Sequence, residues 1–361
     1  MELSLCMIVR DEAARLGACL ESVKDAVDEI VIVDTGSTDA TKEIALLYTP
    51  HVYDCVWEDD FAAARNASMA LATKPFLLWL DADDVLDAPE REKLIALKER
   101  LTDRVDAVML PYHYAFAPDG TPALVFERER IVRRSAGFAF CGAVHEAMAV
   151  SGNVLHEEIV IRHTGEHGAC SNRRNLAIYE ARLSRGLAMS ARDWYYYARE
   201  LKSAGRLSDA VRAFEAFLAM DGWVENRIEA YILRGECLDA MGRKEEARAS
   251  YLDSMRLGAP KAEALCALGA GFMEAGKLDA AAHWYRAALL CRQEKQAGFV
   301  SPACYGYVPL MQLCVIYSRM GDDVLASQMN EQALLLRPDD PAALYNRAYF
   351  ERRLGGQEIH G

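Results

Sequence analysis

Short, unbroken apolar runs alternate with amphipathic stretches through the first half of the 361-residue chain. The most continuous runs are 4–9, 29–33 and 76–80, and helical periodicity fills the intervals between them. Runs this short are typical of strands covered on both faces, and their alternation with helices predicts a parallel, doubly wound sheet. Later runs are more polar and predict a less regular, mixed edge: 107–116, 124–133 and 154–163.

The second half changes to a repeat marked by regularly spaced glycines: Gly205, Gly242, Gly276, Gly321 and Gly355. The intervals are 37, 34, 45 and 34 residues, and a small residue precedes each glycine by seven positions. A helix–turn–helix unit of about 34 residues, with small residues where helices cross, resembles the tetratricopeptide repeat. The pattern predicts an all-α solenoid, with an insertion near 293–305 in the longest interval.

These patterns divide the chain into an α/β domain over 1–170, a linker helix over 171–190 and a repeat domain over 191–361. The charge follows the same division. The whole chain has 41 basic and 54 acidic residues, a net −13, and residues 1–170 hold 16 basic against 30 acidic residues, a net −14. The acidity therefore belongs to the first domain and argues against a nucleic-acid-binding protein, which needs a basic face.

Two further observations concern location. No apolar run approaches the ~20 residues of a membrane span, and the first residues lack the basic start of a signal peptide. The ten cysteines form no CxxC pair, which is expected of reduced, mostly buried thiols. The sequence thus predicts a cytoplasmic protein without a membrane span.

Two acidic clusters follow predicted strands, at 34–39 and 81–84. The carboxyl ends of parallel strands form the ligand-binding edge of a doubly wound sheet. Asp81 and Asp83, two positions apart, can direct carboxylates at a ribose and at one divalent cation, and oxygen ligands suit Mg²⁺ or Mn²⁺. The alternative is a solvated acidic turn that caps the following helix.

Four segments in order carry a family resemblance: MIVRDEAARLGACLESV, DEIVIVDTGSTDATKEIA, WEDDFAAARNASMALA and FLLWLDADDVL. Together they resemble the family 2 glycosyltransferases of GT-A fold, over roughly residues 1–165. The fusion of such a domain to tetratricopeptide repeats resembles the transferases that glycosylate bacteriocin peptides, including the sublancin-type S-glycosyltransferases.

The resemblance implies a nucleotide-sugar donor, usually a UDP-sugar, and a divalent metal ion, Mn²⁺ or Mg²⁺. The positions that match the family motifs are Val9 and Glu12 beside the base, Asp34 at the uracil, Arg65 at the uracil or the phosphates, Asp81 at the ribose and Asp83 at the metal. For two of these residues a structural role is the alternative. Asp34 could cap the next helix, and Arg65 could form an ordinary ion pair on a helix surface.

A domain of net charge −14 should repel a diphosphate, so a cation or local arginines must reverse the field at the site. We expect a divalent ion to do this, and Arg65, Arg133 and Arg134 are the candidate arginines.

An inverting transfer also needs a group that takes or orients the acceptor's proton. The segment 140–146 places Glu146, with His145 beside it, as the candidate base. His163, at the end of a predicted strand, is a candidate third metal ligand, as in several GT-A enzymes, although a lone histidine is as often a core or surface residue. The rival positions near it are His156, Glu157 and Glu158.

The sequence therefore predicts a metal-dependent inverting glycosyltransferase that moves a sugar from a UDP-sugar to a peptide or protein acceptor held partly by the repeats. Repeat arrays form concave grooves that suit extended peptides. One alternative is the same chemistry on a glycan, lipid or other small acceptor, with the repeats used for assembly, for example into a homo-oligomer. Another is a non-catalytic adaptor that keeps only the fold.

Overall fold

The computed structural model describes residues 1–116, 120, 122–165, 169–292 and 301–355. It divides the chain into two compact units, Met1–Ala188 and Met189–Gly361. Among the described residues, no helix combines the length and the apolar character that crossing a membrane requires.

The first unit is a mixed α/β domain. Its strands are β1 Leu3–Val9, β2 Glu29–Asp34, β3 Val52–Asp54, β4 Phe76–Trp79, β5 Asp84–Val85, β6 Ala107–Phe116, β7 Pro122–Arg133, β8 Phe140–Cys141, β9 Ala147–Met148, β10 Val154–His156 and β11 Ile161–His163. Its helices are α1 Leu16–Val23, α2 Thr41–Leu46, α3 Phe61–Leu71, α4 Ala88–Arg100 and α5 Ala169–Ser184.

The main sheet has the strand order β3-β2-β1-β4-β7-β6-β11-β5, with β10 also pairing with β6. The first four of these neighbours are parallel, as the apolar runs predicted. Strand β7 is antiparallel to both β4 and β6 and lies inside the sheet, so the irregular strands are not confined to an edge. The predicted α/β class is confirmed, with a mixed sheet.

Both faces of the parallel strands are covered. On one face Leu5 and Met7 pack in a core with Leu16 of α1, and on the other Cys6 packs with Ala62 of α3. Continuous apolar strands are expected when both faces are buried. Because these strands are parallel, their carboxyl ends meet at one edge, where the residues after β1, β2 and β4 come together.

The predicted strand over 154–163 is two short strands. In β10, His156 lies opposite Met109 of β6, and in β11, Ile161 lies opposite Tyr112. The interruption between β10 and β11 carries the chain three positions farther along β6. As a result, β11 pairs with a later part of β6 than β10 does.

The segment expected as a linker helix belongs to the first unit. Helix α5 ends at Ser184, inside Met1–Ala188. Tyr179 is fully buried there and its hydroxyl donates to the Val144 carbonyl at 3.4 Å. Arg182 pairs with Asp60 at 3.4 Å. The helix is therefore packed on the α/β domain, because its buried side chains belong to that domain's core.

The second unit is a series of helices: α6 Ala191–Ser203, α7 Leu207–Leu218, α8 Val224–Ala240, α9 Lys244–Ser254, α10 Ala262–Glu274, α11 Leu278–Ala288, α12 Tyr307–Arg319, α13 Asp323–Leu336 and α14 Pro341–Gly355. Gly205, Gly242, Gly276 and Gly321 each stand between paired helices with φ from 69° to 86°. This left-handed conformation favours glycine and explains the spacing seen in the sequence.

The small residues seven positions before these glycines lie at the helix crossings. A Cβ atom on Gly235 would overlap the Tyr251 ring, and one on Gly269 would approach the Tyr285 ring to 2.8 Å. The predicted all-α repeat is confirmed by this repeated contact. The insertion expected near 293–305 lies partly outside the described residues; its end, Pro302–Tyr305, forms a 3₁₀ turn.

Candidate active site

The acidic turn after β4 is closed by hydrogen bonds between its own ends. The Asp84 amide donates to the Asp81 carbonyl at 3.0 Å, and the Asp81 amide donates to Asp84 Oδ2 at 3.0 Å. The turn therefore uses Asp84 as an internal acceptor. This arrangement holds Asp81 and Asp83 at the carboxyl edge of the sheet.

Three groups capable of binding a metal meet beside this turn. One ligand atom each from Asp83, Asp84 and His163 lie within 4.8 Å of one another. Strand pairing brings them together, because β11 runs antiparallel to β5 with His163 opposite Asp84. The Thr164 amide and hydroxyl each donate to the Asp83 carbonyl at 2.8 Å and fix the contact.

His163 is held by aromatic and acidic neighbours. Its Nδ1 lies 3.0 Å from the Tyr112 hydroxyl and 3.5 Å from Asp83 Oδ1, and its ring stacks on Tyr114 at 5.1 Å. Burial alone would lower the pKa of His163, but the carboxylates of Asp83 and Asp84 outweigh it and raise that pKa. The field at this ring therefore favours a positive charge.

Asp84 is paired inside the protein with Arg130 of β7. Arg130 is fully buried and donates to Asp84 Oδ2 at 2.9 Å and to the Trp79 carbonyl at 3.3 Å. Its guanidinium lies over the rings of Trp79 and Tyr112, at 3.9 and 4.4 Å. Burial raises the pKa of Asp84, and Arg130 opposes that rise.

The other oxygen of Asp84 is buried without a hydrogen bond of regular geometry among the described residues. His163 Nδ1 lies 3.9 Å from this Oδ1. A buried acceptor oxygen that lacks such a hydrogen bond and lies beside the Asp83 carboxylate and the His163 imidazole is suited to binding a cation.

Arg65 of α3 joins two predicted site residues. Its Nε donates to Glu146 Oε1 and its Nη2 to Asp81 Oδ1, both at 2.6 Å, and its guanidinium lies 4.7 Å from the Trp79 ring. Burial would raise the pKa of Asp81, but Arg65 and then Arg130 outweigh it and lower that pKa. Arg65 is only 7% exposed, so this is not the surface ion pair considered as the alternative.

Helix α3 also positions the segment that carries Glu146. Asn66 exchanges two hydrogen bonds of 2.9 Å with the backbone of Phe140, and the Phe61 amide donates to the Ala143 carbonyl at 2.9 Å. His145 follows with a left-handed φ of 53°, a strained conformation for a residue with a side chain. The backbone is thus shaped to present Glu146 to Arg65.

The two carboxylate oxygens of Asp34, at the end of β2, have different surroundings. Oδ1 accepts from the amides of Gly36 and Ser37, at 2.9 and 2.8 Å. Oδ2 is buried and has no hydrogen-bond partner within the described parts of the chain. The turn-capping role considered for Asp34 therefore uses one oxygen and leaves the other as an acceptor.

Val9 and Glu12 flank the same edge. Val9 is buried, and its carbonyl accepts from the Thr35 amide at 3.0 Å. The Glu12 amide donates to Thr41 Oγ1 at 2.7 Å. Burial, followed by the charge of Asp83, raises the pKa of Glu12, so its carboxyl lies in the field of the acidic turn.

The expectation for Arg133 and Arg134 was wrong. Because β7 is antiparallel to β4, Arg133 lies opposite Phe76, at the amino end of β4 and away from Asp81. There Arg133 pairs with Asp106, and Arg134 donates to the Lys74 carbonyl at 3.1 Å. The sequence analysis missed Arg130, whose place in β7 becomes clear only when that strand's direction is known.

The rival ligands near His163 also lie elsewhere. His156 pairs with Glu127 at 2.9 Å, and Glu157 pairs with Arg100 at 2.7 Å. A cavity of about 750 Å³ at the amino end of β2 is lined by Asp28, Glu29, His51 and Lys74 among others and contains none of the predicted site residues.

Comparison with known proteins identifies the domain that holds this site. The sequence profile described as "Glycosyl transferase family 2" matches residues 4–149. The first unit therefore contains a region similar to the family 2 glycosyltransferases. Asp34, Arg65, Asp81, Asp83 and Glu146 all fall within the matched range, and His163 follows it.

Three curated relatives extend the comparison. The SPbeta prophage-derived glycosyltransferase SunS of Bacillus subtilis is 28% identical over 219 residues, covering 57% of this chain and 50% of that protein. The lipopolysaccharide core biosynthesis glycosyltransferase LpsC of Rhizobium meliloti is 32% identical over 165 residues, covering 43% and 59%. A TPR repeat-containing protein of Synechococcus elongatus is 53% identical over 85 residues, covering 24% and 21%.

These relatives support the resemblance seen in the sequence, to a family 2 glycosyltransferase domain followed by tetratricopeptide repeats. The chain spans three fifths or less of the length of each of the three relatives.

Proposed function

We propose that the protein is a metal-dependent, inverting glycosyltransferase that moves a sugar from a UDP-sugar to a peptide or protein acceptor. The observation that carries the proposal is the meeting of Asp83, Asp84 and His163 within 4.8 Å at the carboxyl edge of the family 2 domain. The same edge carries Asp34 and the ion pairs that join Asp81, Arg65 and Glu146.

The donor set fits a divalent cation. Asp83 and His163 are the ligands we assign, with the buried Oδ1 of Asp84 as a third or as an acceptor for a metal-bound water. Two carboxylate oxygens and one imidazole favour Mn²⁺ over Mg²⁺, which prefers oxygen ligands alone. When bound, such an ion neutralises charge on the departing diphosphate.

The nucleotide is assigned to the residues after β1, β2 and β4. Asp34 Oδ2 would accept the N–H of a uracil ring, since it is a buried acceptor whose partner oxygen is already engaged. Asp81 would hold the ribose with its carboxylate kept ionised by Arg65. Val9 and Glu12 would border the base at the same edge.

Glu146 is the proposed base. Arg65 engages its Oε1, and we assign Oε2 to the proton of the acceptor. His145 lies beside it in a strained backbone conformation, of the kind that clusters at functional sites. Arg65 thus acts within the protein, between two carboxylates, rather than directly on the uracil or the phosphates as the family motif implies.

A peptide or protein acceptor is proposed because repeat arrays present extended surfaces that suit unfolded chains. The similarity to LpsC, whose name refers to lipopolysaccharide core biosynthesis, favours a saccharide acceptor as the second candidate. In that case the repeats would serve assembly, for example of a homo-oligomer. The nine cysteines whose side chains the structure describes are free thiols, which supports a reducing compartment such as the cytoplasm.

The test is nucleotide release by the purified full chain with Mn²⁺ and a panel of UDP-sugars. We expect UDP release from at least one sugar, abolished by chelation and by Asp83→Ala. Asp87→Asn is the matched control, because Asp87 lies in the same segment but pairs with Arg162 at 3.1 Å, outside the metal-binding group. Peptide and oligosaccharide acceptors would then be compared by mass spectrometry. Absence of nucleotide release under all conditions would favour the adaptor.

A further inference from the structure

A group of cysteines lies in the repeat unit, among residues that have no assigned role in the chemistry of the proposed glycosyl transfer. Cys266 is buried in α10, and Cys304 is half-buried in the 3₁₀ turn Pro302–Tyr305. Cys291 packs against the same core from the end of α11. Thirty-eight positions separate Cys266 from Cys304, so tertiary structure brings the two together.

The turn is held on α10 by two hydrogen bonds to one carboxylate. The Ser301 amide donates to Glu263 Oε1 at 2.7 Å, and the Tyr305 hydroxyl donates to Glu263 Oε2 at 3.1 Å. Between these contacts, the Cys266 thiol donates to the Cys304 carbonyl at 3.7 Å, and the two side chains pack in one apolar cluster. The two cysteines are therefore neighbours in a fixed frame.

The environment makes the two thiols unequal. The hydrogen bond from Cys266 lowers the pKa of Cys304 to about 7, burial opposes this, and a hydrogen bond from Ser301 adds to the lowering. The same interaction raises the pKa of Cys266. A half-buried thiol that ionises near neutral pH next to a second thiol is the arrangement found in redox-reactive cysteines.

We propose that Cys304 is a peroxide-reactive nucleophile and that Cys266 is its resolving partner, so that the two form a reversible disulfide. This assignment can be tested separately from the proposed transferase chemistry, since none of its residues lies in the α/β domain.

The chemistry needs a peroxide as the oxidant. The Cys304 thiolate attacks one peroxide oxygen, the O–O bond breaks, and the released oxide takes a proton, leaving Cys304 as a sulfenic acid. Cys266 then attacks the Cys304 sulfur, an S–S bond forms and the S–O bond breaks. The departing hydroxide takes the Cys266 proton and leaves as water. Two thiols are oxidised by two electrons, and one hydrogen peroxide becomes two waters.

The order of the two steps follows from the hydrogen bond. The Cys304 thiolate, together with the Cys304 carbonyl, stabilises the protonated form of Cys266. Once Cys304 is a sulfenic acid that acceptor charge is gone, so Cys266 can lose its proton more readily and attack. The thiol that stabilises the nucleophile in the first step thus becomes the nucleophile of the second.

The direct test is treatment of the full chain with hydrogen peroxide, followed by alkylation, digestion without reductant and mass spectrometry. We expect a peptide pair that links Cys266 to Cys304 and that disappears on reduction. In Cys266→Ala, Cys304 should instead accumulate as sulfenic acid and higher oxides. A link from Cys304 to Cys291, or oxidation of Cys304 no greater than that of exposed Cys141, would overturn the assignment.

A second measurement follows the ionisation of Cys304 by its rate of alkylation with iodoacetamide across pH. The wild-type profile should have its midpoint near pH 7. Cys266→Ala should move the midpoint upward by about one pH unit or more, because it removes the largest stabilising contact of the thiolate. Cys291→Ala is the matched control and should leave the midpoint unchanged. An equal shift in both variants, or none in Cys266→Ala, would contradict the proposed pair.

Discussion

At the scale of single residues, the site is built from carboxylates whose two oxygens have different roles. Asp34 caps a turn with Oδ1 and leaves Oδ2 buried. Asp84 binds Arg130 with Oδ2 and leaves Oδ1 beside His163. Such groups are costly to bury unless a partner completes them. The remaining oxygens, Oδ2 of Asp34 and Oδ1 of Asp84, are the atoms that we propose as ligand contacts.

Asp34→Asn tests the nucleotide assignment. The amide oxygen of the new asparagine can still accept from the Gly36 and Ser37 amides. Its amide nitrogen then stands in place of Oδ2, so a hydrogen-bond donor replaces an acceptor. We expect UDP affinity to fall about 10- to 100-fold, the value of a hydrogen bond to a charged group, with little loss of stability. CDP, whose base presents an acceptor at the equivalent ring position, should lose less. Calorimetric titration measures both.

Asp39→Asn is the control for this change, because Asp39 lies in the same loop but is exposed. Equal loss of UDP and CDP affinity in Asp34→Asn, or no loss, would contradict the role given to Oδ2.

Arg130 is predicted to be the residue on which the acidic turn depends for stability. Arg130→Met removes the partner of a fully buried carboxylate and should destabilise the first unit by about 3–5 kcal/mol. The double variant Arg130→Met, Asp84→Leu should recover part of this loss, since no buried charge remains unpaired. Chemical denaturation measures both variants.

Arg133→Met, at the opposite end of β7, is the comparison. Arg133 is partly exposed, so Arg133→Met should lower the free energy of unfolding by no more than about 1 kcal/mol. If Arg130→Met lowers the free energy of unfolding no more than Arg133→Met does, the proposed stabilising role of the buried Arg130–Asp84 pair is wrong.

At the scale of elements, the direction of one strand decides much of the site. The apolar runs were sufficient to predict β1, β2 and β4 and the edge where Asp34 and Asp81 lie. They could not show that β7 enters between β4 and β6 in the antiparallel direction, because a run's hydrophobicity carries no information about its direction. That direction removes Arg133 from the site and brings in Arg130.

The metal-binding group likewise contains residues that could be predicted from the sequence and one that could not. Asp83 and His163 could be selected from the sequence because Asp83 follows one predicted strand and His163 ends another. Asp84 could not, since its role depends on the antiparallel pairing of β5 with β11 and on the buried guanidinium. The glycine spacing, by contrast, predicted the helical repeats directly, because each turn needs a left-handed residue at one position.

The helix crossings provide a matched pair of glycine substitutions. Gly235→Ala should destabilise the repeat unit by about 1–3 kcal/mol, because its new methyl group would overlap the Tyr251 ring. Gly271→Ala, inside α10, meets no atom within 4 Å in the described structure and should stabilise the unit by up to about 1 kcal/mol. Thermal unfolding of the two variants should move in opposite directions, and a shift in the same direction would contradict the crossing geometry.

At the scale of the whole molecule, the net charge of −13 is concentrated in the unit that is proposed to bind a diphosphate. Among the described residues around the acidic turn, four arginines face five carboxylates. The arginines are Arg15, Arg65, Arg128 and Arg130, and the carboxylates are Glu12, Asp81, Asp83, Asp84 and Glu146. The protein's own cations thus neutralise only part of this field. A nucleotide diphosphate would bind against a residual negative charge unless a metal ion accompanied it.

The most direct test of the central claim is calorimetric titration of the full chain with UDP, with Mn²⁺ and with a chelator. The account predicts binding that depends on Mn²⁺ in the wild type and in Asp87→Asn, and that Asp83→Ala reduces to the level seen with the chelator while the chain stays folded. UDP binding of equal strength with and without Mn²⁺, or unchanged in Asp83→Ala, would contradict it.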